Sequence, residues 1–200
     1  MKKIFFIILV LLSINVFSQQ NDDYKNFIQQ IKKDTKIDKD DNTIYNLLND
    51  FYEQALQSDE GELKPDIPLK IQKLYEDKNT KNIHILIMLL TYQEHISETA
   101  AVGKKPDSEF QVNLMTDLEN EMKAIYDKIP PIIYIYKAEA LSSNGQKNNA
   151  SIIVSKGLVE YPNSIPLKVY KYIETNDEKI KNDLIQNHSN HWMIKQFGIK

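Results

Sequence analysis

An all-helical fold, assembled from antiparallel helical hairpins, is what this sequence predicts. Two observations carry the expectation. Apolar residues recur three and four positions apart along most of the chain beyond residue 20, the period of a helix with one buried face. The glycines and prolines that break helices fall mainly between those stripes rather than inside them.

The chain opens on a different pattern. Lys2 and Lys3 precede the apolar run Ile4 to Leu12, Ser13 and Asn15 interrupt it, and Val16-Phe17-Ser18 ends on a small side chain. That order predicts a secretory signal peptide over 1–18, cut between Ser18 and Gln19. A membrane anchor would need about 20 apolar residues. A lipid anchor would need a cysteine, and the sequence has none. The expected product is one domain, 19–200, released into the periplasm or outside the cell without stable membrane insertion. At about 180 residues it is long enough for one sizeable core. Packing must hold that core, because no disulfide can form.

The helices follow in order. Tyr24, Phe27, Ile28 and Ile31 share one face of the first. Ile44, Leu47, Leu48, Phe51 and Ala55 form a second stripe, with Asn42 or Thr43 as its N-cap. Ser58 to Pro65 is charged, carries Gly61 and reads as a loop. Ile67, Ile71, Leu74 and Tyr75 mark a third helix, whose Pro68 is tolerated because it lies in the first turn. Thr80 is placed to cap a longer helix running to about Ala101. Its first half, Ile83 and Ile85 to Leu90, is apolar on every side and fits a central buried element, helix or strand. The continuation through Tyr92, Ile96 and Ala100 favours helix. Gly103 to Pro106 breaks the chain, and Ser108 with Gln111 offers a capping box for a fifth helix bearing Phe110, Leu114, Leu118, Met122 and Ile125. That helix stops at Pro130-Pro131.

Beyond Pro131 the spacing is more specific. Tyr134, Ala138 and Leu141 lie on one helix, Gly145 marks a turn, Ala150, Val154 and Gly157 lie on a second helix, and Pro162 ends it. The small residues would let two antiparallel helices approach closely. Residues 131–164 resemble the tetratricopeptide repeat (TPR), a helix–turn–helix unit of about 34 residues. The resemblance implies a TPR-like stack of hairpins with degenerate outer units, since one repeat cannot bury its own face. Upstream, Leu118, Met122, Ile125 and Pro130 fit a second helix, but Pro106 lies where its first helix belongs. Downstream, Leu167, Tyr170 and Ile173, then Ile180, Leu184 and Ile185, form helices out of register. An irregular helical bundle is the alternative. The resemblance further implies a concave face at Ile132, Ile135, Glu139 and Ser142 that holds a protein or peptide. The family's clamp for a C-terminal carboxylate uses Lys and Asn at such positions, and neither occurs there.

Composition narrows the chemistry. All 25 basic residues are lysines, so bidentate guanidinium recognition is unavailable. Removing Lys2 and Lys3 leaves 23 of them against 28 acids, a net charge of about −5, which argues against nucleic acid as a partner. Without cysteine there is no thiolate catalysis or cysteine zinc site. His188 and His191 beside Trp192 could share a helix face, but no acidic partner follows at ligand spacing. Asp38, Asp40 and Asn42 resemble the start of a calcium loop. Thr43 then stands where glycine is needed and Asn49 where a bidentate Glu is needed, so an acidic turn is expected. His84 and His95 read as buried histidines with one partner each, and Glu94 with Glu98 as an exposed acidic pair. No nucleophile elbow, P-loop or dinucleotide fingerprint occurs. The expected function is therefore an exported, non-catalytic scaffold that binds a protein or peptide and uses no cofactor and no metal. The alternatives are a periplasmic immunity or inhibitor protein against a cognate toxin, and a metal-binding protein or enzyme built on His84, His95, His188 or His191.

Overall fold

The computed structural model describes residues 21–200, so the expected signal peptide, 1–18, lies outside the described residues. Among the described residues there are ten α-helices and no strand. They are α1 (Asn21–Lys33), α2 (Thr43–Tyr52), α3 (Asp66–Glu76), α4 (Ile83–Ala101), α5 (Ser108–Tyr126), α6 (Pro131–Ser143), α7 (Lys147–Glu160), α8 (Ile165–Thr175), α9 (Glu178–His188) and α10 (Trp192–Gln196). α2 continues for one wider π turn over Glu53–Gln57. No helix among the described residues is long and apolar enough to cross a membrane.

The stripes read from sequence become helices, but three caps fall on other residues. Asp41 accepts the Thr43 N–H at 2.8 Å, whereas Asn42 makes no capping bond from its side chain. Asp107 rather than Ser108 caps α5, accepting the N–H groups of Glu109 and Phe110 at 3.0 and 3.1 Å. In both places a carboxylate is the stronger acceptor at the positive end of a helix. Thr80 turns its hydroxyl back to the Leu74 carbonyl, and α4 starts after Asn82, held in the left-handed region at φ 56°.

Asn82 is a fully buried hub. Its amide nitrogen donates to the Asp38 carbonyl at 2.7 Å, the Asp41 carbonyl at 3.3 Å and the Tyr126 hydroxyl at 3.1 Å. Its amide oxygen accepts the Asp38 N–H at 2.9 Å. The acidic turn at Asp38, Asp40 and Asn42 is thereby stitched to the start of α4 through its backbone. The apolar run that follows is a helix, buried at His84 to Leu86 and at Met88 to Tyr92.

α6 and α7 form an antiparallel hairpin turning at Gly145, whose φ is 77°. α7 lies against both α6 and α8. A Cβ placed on Gly157 would stand 2.9 Å from Leu167 Cδ1 and 3.0 and 3.1 Å from Cγ and Cβ of Tyr134, so any larger residue would have to push these neighbours aside. Tyr134 anchors the hairpin by donating to Glu160 Oε1 at 2.6 Å, and Tyr161 donates to the Ile129 carbonyl at 2.7 Å. Ser164 then caps α8.

Two apolar cores result. The larger runs from α2 to α7 and takes in Leu167 of α8. The smaller joins Ile165, Val169, Leu184, Met193, Ile194 and Ile199 from α8 to the C-terminus. The end of the chain is fastened to the end of α2. The Trp192 N–H donates to the Asp59 carbonyl at 3.0 Å, and the Trp192 ring covers Gly61, where a Cβ would come within 2.5 Å. The Tyr52 hydroxyl bonds Gln57 Oε1 at 2.6 Å and Ser164 Oγ at 2.7 Å.

Candidate binding face

The four residues assigned by resemblance to a concave face are distributed unequally. Ile132 and Ile135 are 0% and 1% exposed on a helix packed against α2, α5 and α7. They belong to the core, where burial of each large apolar side chain stabilises by about 1.5–3 kcal/mol, and no partner reaches them. Ser142 is exposed next to the Gly145 turn. Glu139, partly buried on α6, is the residue around which the structure gathers polar groups from other helices.

Tyr170 of α8 donates its hydroxyl to Glu139 Oε1. The second carboxylate oxygen, Oε2, takes no hydrogen bond among the described residues. Tyr136 lies one turn before Glu139, a spacing that puts both on one face of α6. Its ring stacks on that of Tyr92 from α4, with centroids 5.2 Å apart and planes at 25°. Tyr92 donates its hydroxyl to the Tyr136 carbonyl at 3.1 Å, and Gln93 donates its amide to the Tyr136 hydroxyl at 3.2 Å. Tyr136, Glu139, Tyr170 and Gln93 are all partly exposed, while Tyr92 is buried beneath them. α8 can offer Tyr170 here because its Leu167 and Val169 are held in the two cores.

Burial raises the Glu139 carboxyl above the ordinary carboxylate range, and the Tyr170 hydroxyl opposes that shift. Burial also pushes the Tyr170 phenol far upward, reinforced by the adjacent Glu139 charge, and burial raises Tyr92 and Tyr136. The three phenols are therefore neutral donors at neutral pH. The face combines a carboxylate with one unpaired oxygen, a phenol bonded to the other oxygen, and an amide bonded to the hydroxyl of a stacked ring. Lys137 turns instead to Glu119 of α5.

The histidines do not assemble. His84 is fully buried, with Nε2 3.1 Å from Glu121 Oε2, and Glu121 Oε1 holds Lys32 at 2.5 Å. Burial lowers the His84 pKa, so a neutral ring donates from Nε2, and Nδ1 has no partner. His95 Nε2 accepts the Asp107 N–H at 2.9 Å, and its ring packs on Phe110. His191 uses both nitrogens: Nδ1 accepts the Met193 N–H at 3.2 Å, capping α10, and Nε2 pairs with the Leu56 carbonyl at 2.9 Å. That leaves His191 no lone pair to share with His188. No group of three or more His, Cys, Asp or Glu residues among the described residues could hold a metal ion. The Glu94 and Glu98 pair is only half exposed as expected, because Glu94 is partly buried and its pKa is raised by burial and by Glu98.

Sequence reasoning assigned Glu139 to a binding face by resemblance, placed Tyr92 and Tyr170 only in helix stripes, and gave Gln93 and Tyr136 no role. The one local signal is the spacing of Tyr136 and Glu139; the other residues arrive from helices distant in sequence. No protein-family model matches the chain, and neither a curated protein nor a solved structure does so.

Proposed function

We propose that the mature chain is an exported, non-catalytic scaffold with a TPR-like core, which binds a protein or peptide partner across α4, α6 and α8. One observation carries this reading: Gln93, Tyr136, Glu139 and Tyr170 from three helices form a polar, aromatic face that retains solvent contact. The α6–α7 hairpin supports the repeat kinship through its tight contact at Gly157, its turn at Gly145 and the Ser164 cap that starts the next helix. The apolar part of the expected concave face packs internally, so recognition moves to its polar edge. Aromatic rings with hydroxyl groups suit such surfaces, because they supply contact area and directional bonds at low entropic cost.

The test is photo-crosslinking in the cell envelope, with a photoreactive residue replacing Gln93 or Ser142 and, as control, Val159, which is 84% exposed on α7. A discrete partner band from the first two sites and none from Val159 is expected. Equal labelling from all three, or none from any, would overturn the reading.

A further inference from the structure

We infer that the face on α4, α6 and α8 seats a cationic side chain, a lysine or arginine of the partner, with Glu139 as its anchor. The inference rests on the binding role proposed above and names the chemistry of what is bound. Three observations carry it. Glu139 forms no ion pair with any lysine or histidine among the described residues, although the carboxylates of Glu119, Glu121, Asp50 and Asp183 all do. Its Oε1 is oriented by Tyr170, which leaves Oε2 without a hydrogen-bond partner among the described residues, on a residue that is only partly buried. Beside it the rings of Tyr136 and Tyr92 are stacked, and the Tyr136 hydroxyl is fixed by Gln93.

A carboxylate held in place by a neighbour and flanked by electron-rich rings is complementary to an ammonium or guanidinium group, through a charge-assisted hydrogen bond and a cation–π contact. An anionic ligand would meet Glu139 with no compensating cation. A neutral ligand would leave the carboxylate as poorly solvated as before. Burial already disfavours the Glu139 charge, and an arriving cation restores it. The titratable groups that interact with Glu139 are Tyr170 of α8, Tyr92 of α4 and Tyr136 of α6 itself. On the neighbouring helices, Glu119 of α5 is paired with Lys137, and Glu160 of α7 accepts from Tyr134.

The experiment titrates the mature chain with acetyl-Gly-Lys-Gly-amide and follows the tyrosine ring resonances by NMR. The same peptide with norleucine for lysine is the neutral control. Saturable shifts at Tyr136 and Tyr170 are expected with the lysine probe alone, in the millimolar range. Glu139→Gln, which keeps an acceptor for Tyr170, should weaken binding at least about tenfold. In the unaltered protein the affinity should fall as pH drops through the raised Glu139 pKa, by up to about tenfold per pH unit. This series stands on its own if the variant does not fold. Equal shifts with the norleucine peptide, no saturable shift, or a pH-independent affinity would overturn the inference. A partner crosslinked at Gln93 whose contact segment lacks lysine and arginine would overturn it too, while leaving the scaffold reading intact. Loss of crosslinking alone would strike the scaffold reading, and the probe titration would still decide the seat.

Discussion

Replacing Gly157 by alanine sets two known effects against each other at one position. Within α7, exchanging glycine for alanine should stabilise a helix interior by about 1 kcal/mol. Against that, the new methyl would stand 2.9 Å from Leu167 Cδ1 and 3.0 and 3.1 Å from Tyr134 Cγ and Cβ. Leu167 Cδ1 is the far end of a side chain, but Leu167 is fully buried and has little room to yield. The Tyr134 atoms lie next to its backbone, and its hydroxyl is tied to Glu160 at 2.6 Å. Overpacking costs about 1–3 kcal/mol, and two stiff neighbours put this site in the upper part of that range. The net expectation is a loss of about 1–2 kcal/mol, a fall in Tm of about 2–8 °C for a chain of this size. Urea unfolding of the protein, with the slope checked for constancy, measures it. Combining the change with Leu167→Ala should shrink the Gly157→Ala penalty by at least about 0.5 kcal/mol. A variant as stable as the parent, or more so, would refute the argument that α7 meets α6 and α8 at glycine distance. Strict additivity with Leu167→Ala would show that the cost has another source.

Asn82→Ala should cost about 2 kcal/mol, because it removes the partners of partly buried backbone groups on 38–41 and leaves a left-handed residue without an amide. Asn82→Gly should be milder by about 1 kcal/mol, since glycine accepts that backbone, and urea midpoints of the two variants compare them. At Gly61, φ 65° and the Trp192 ring 2.5 Å from a Cβ together make Gly61→Ala destabilising by more than about 2 kcal/mol, with a change in tryptophan fluorescence as its sign. Burial lowers the His191 pKa from 6.5, so below that value the unfolded chain binds a proton that the folded ring resists. The ring's contribution to stability is full above about pH 6.5 and declines as pH falls beneath it. Imidazole nitrogen shifts should show His191 predominantly neutral at pH 6.5, and the stability gap between the parent and His191→Ala should narrow from pH 7.5 to 5.5. Protonation at or above the ordinary value would contradict the packing of that ring. N-terminal sequencing of the exported protein should begin at Gln19; a start at Met1 would remove the export premise.

Much of the helical architecture was legible because each helix carries its own period. Of the stripe Ile44, Leu47, Leu48, Phe51 and Ala55 all but Ala55 are fully buried, and of Phe110, Leu114, Leu118, Met122 and Ile125 all but Phe110, those two being partly buried against the core. Caps were less legible. Competition among Asp41, Asn42 and Thr43, or between Asp107 and Ser108, is decided by the path of the entering chain, and the stronger acceptor prevailed in each case. His191 was readable only as a neighbour of His188 and Trp192; its cap of α10 and its bond to the Leu56 carbonyl across 135 positions were not.

The sequence by itself determined that the described chain is helical, where its hairpin turns, and that no thiol or guanidinium chemistry is available. Each of these depends on composition or on neighbours within about one helical turn. Tertiary structure alone decided that Ile132 and Ile135 face inward, that the C-terminus clasps the end of α2, and that the Glu139 carboxylate meets Tyr170 of another helix. Those outcomes depend on which helix surfaces meet. Meeting is settled by the joint packing of side chains far apart in sequence, a quantity that no local period encodes.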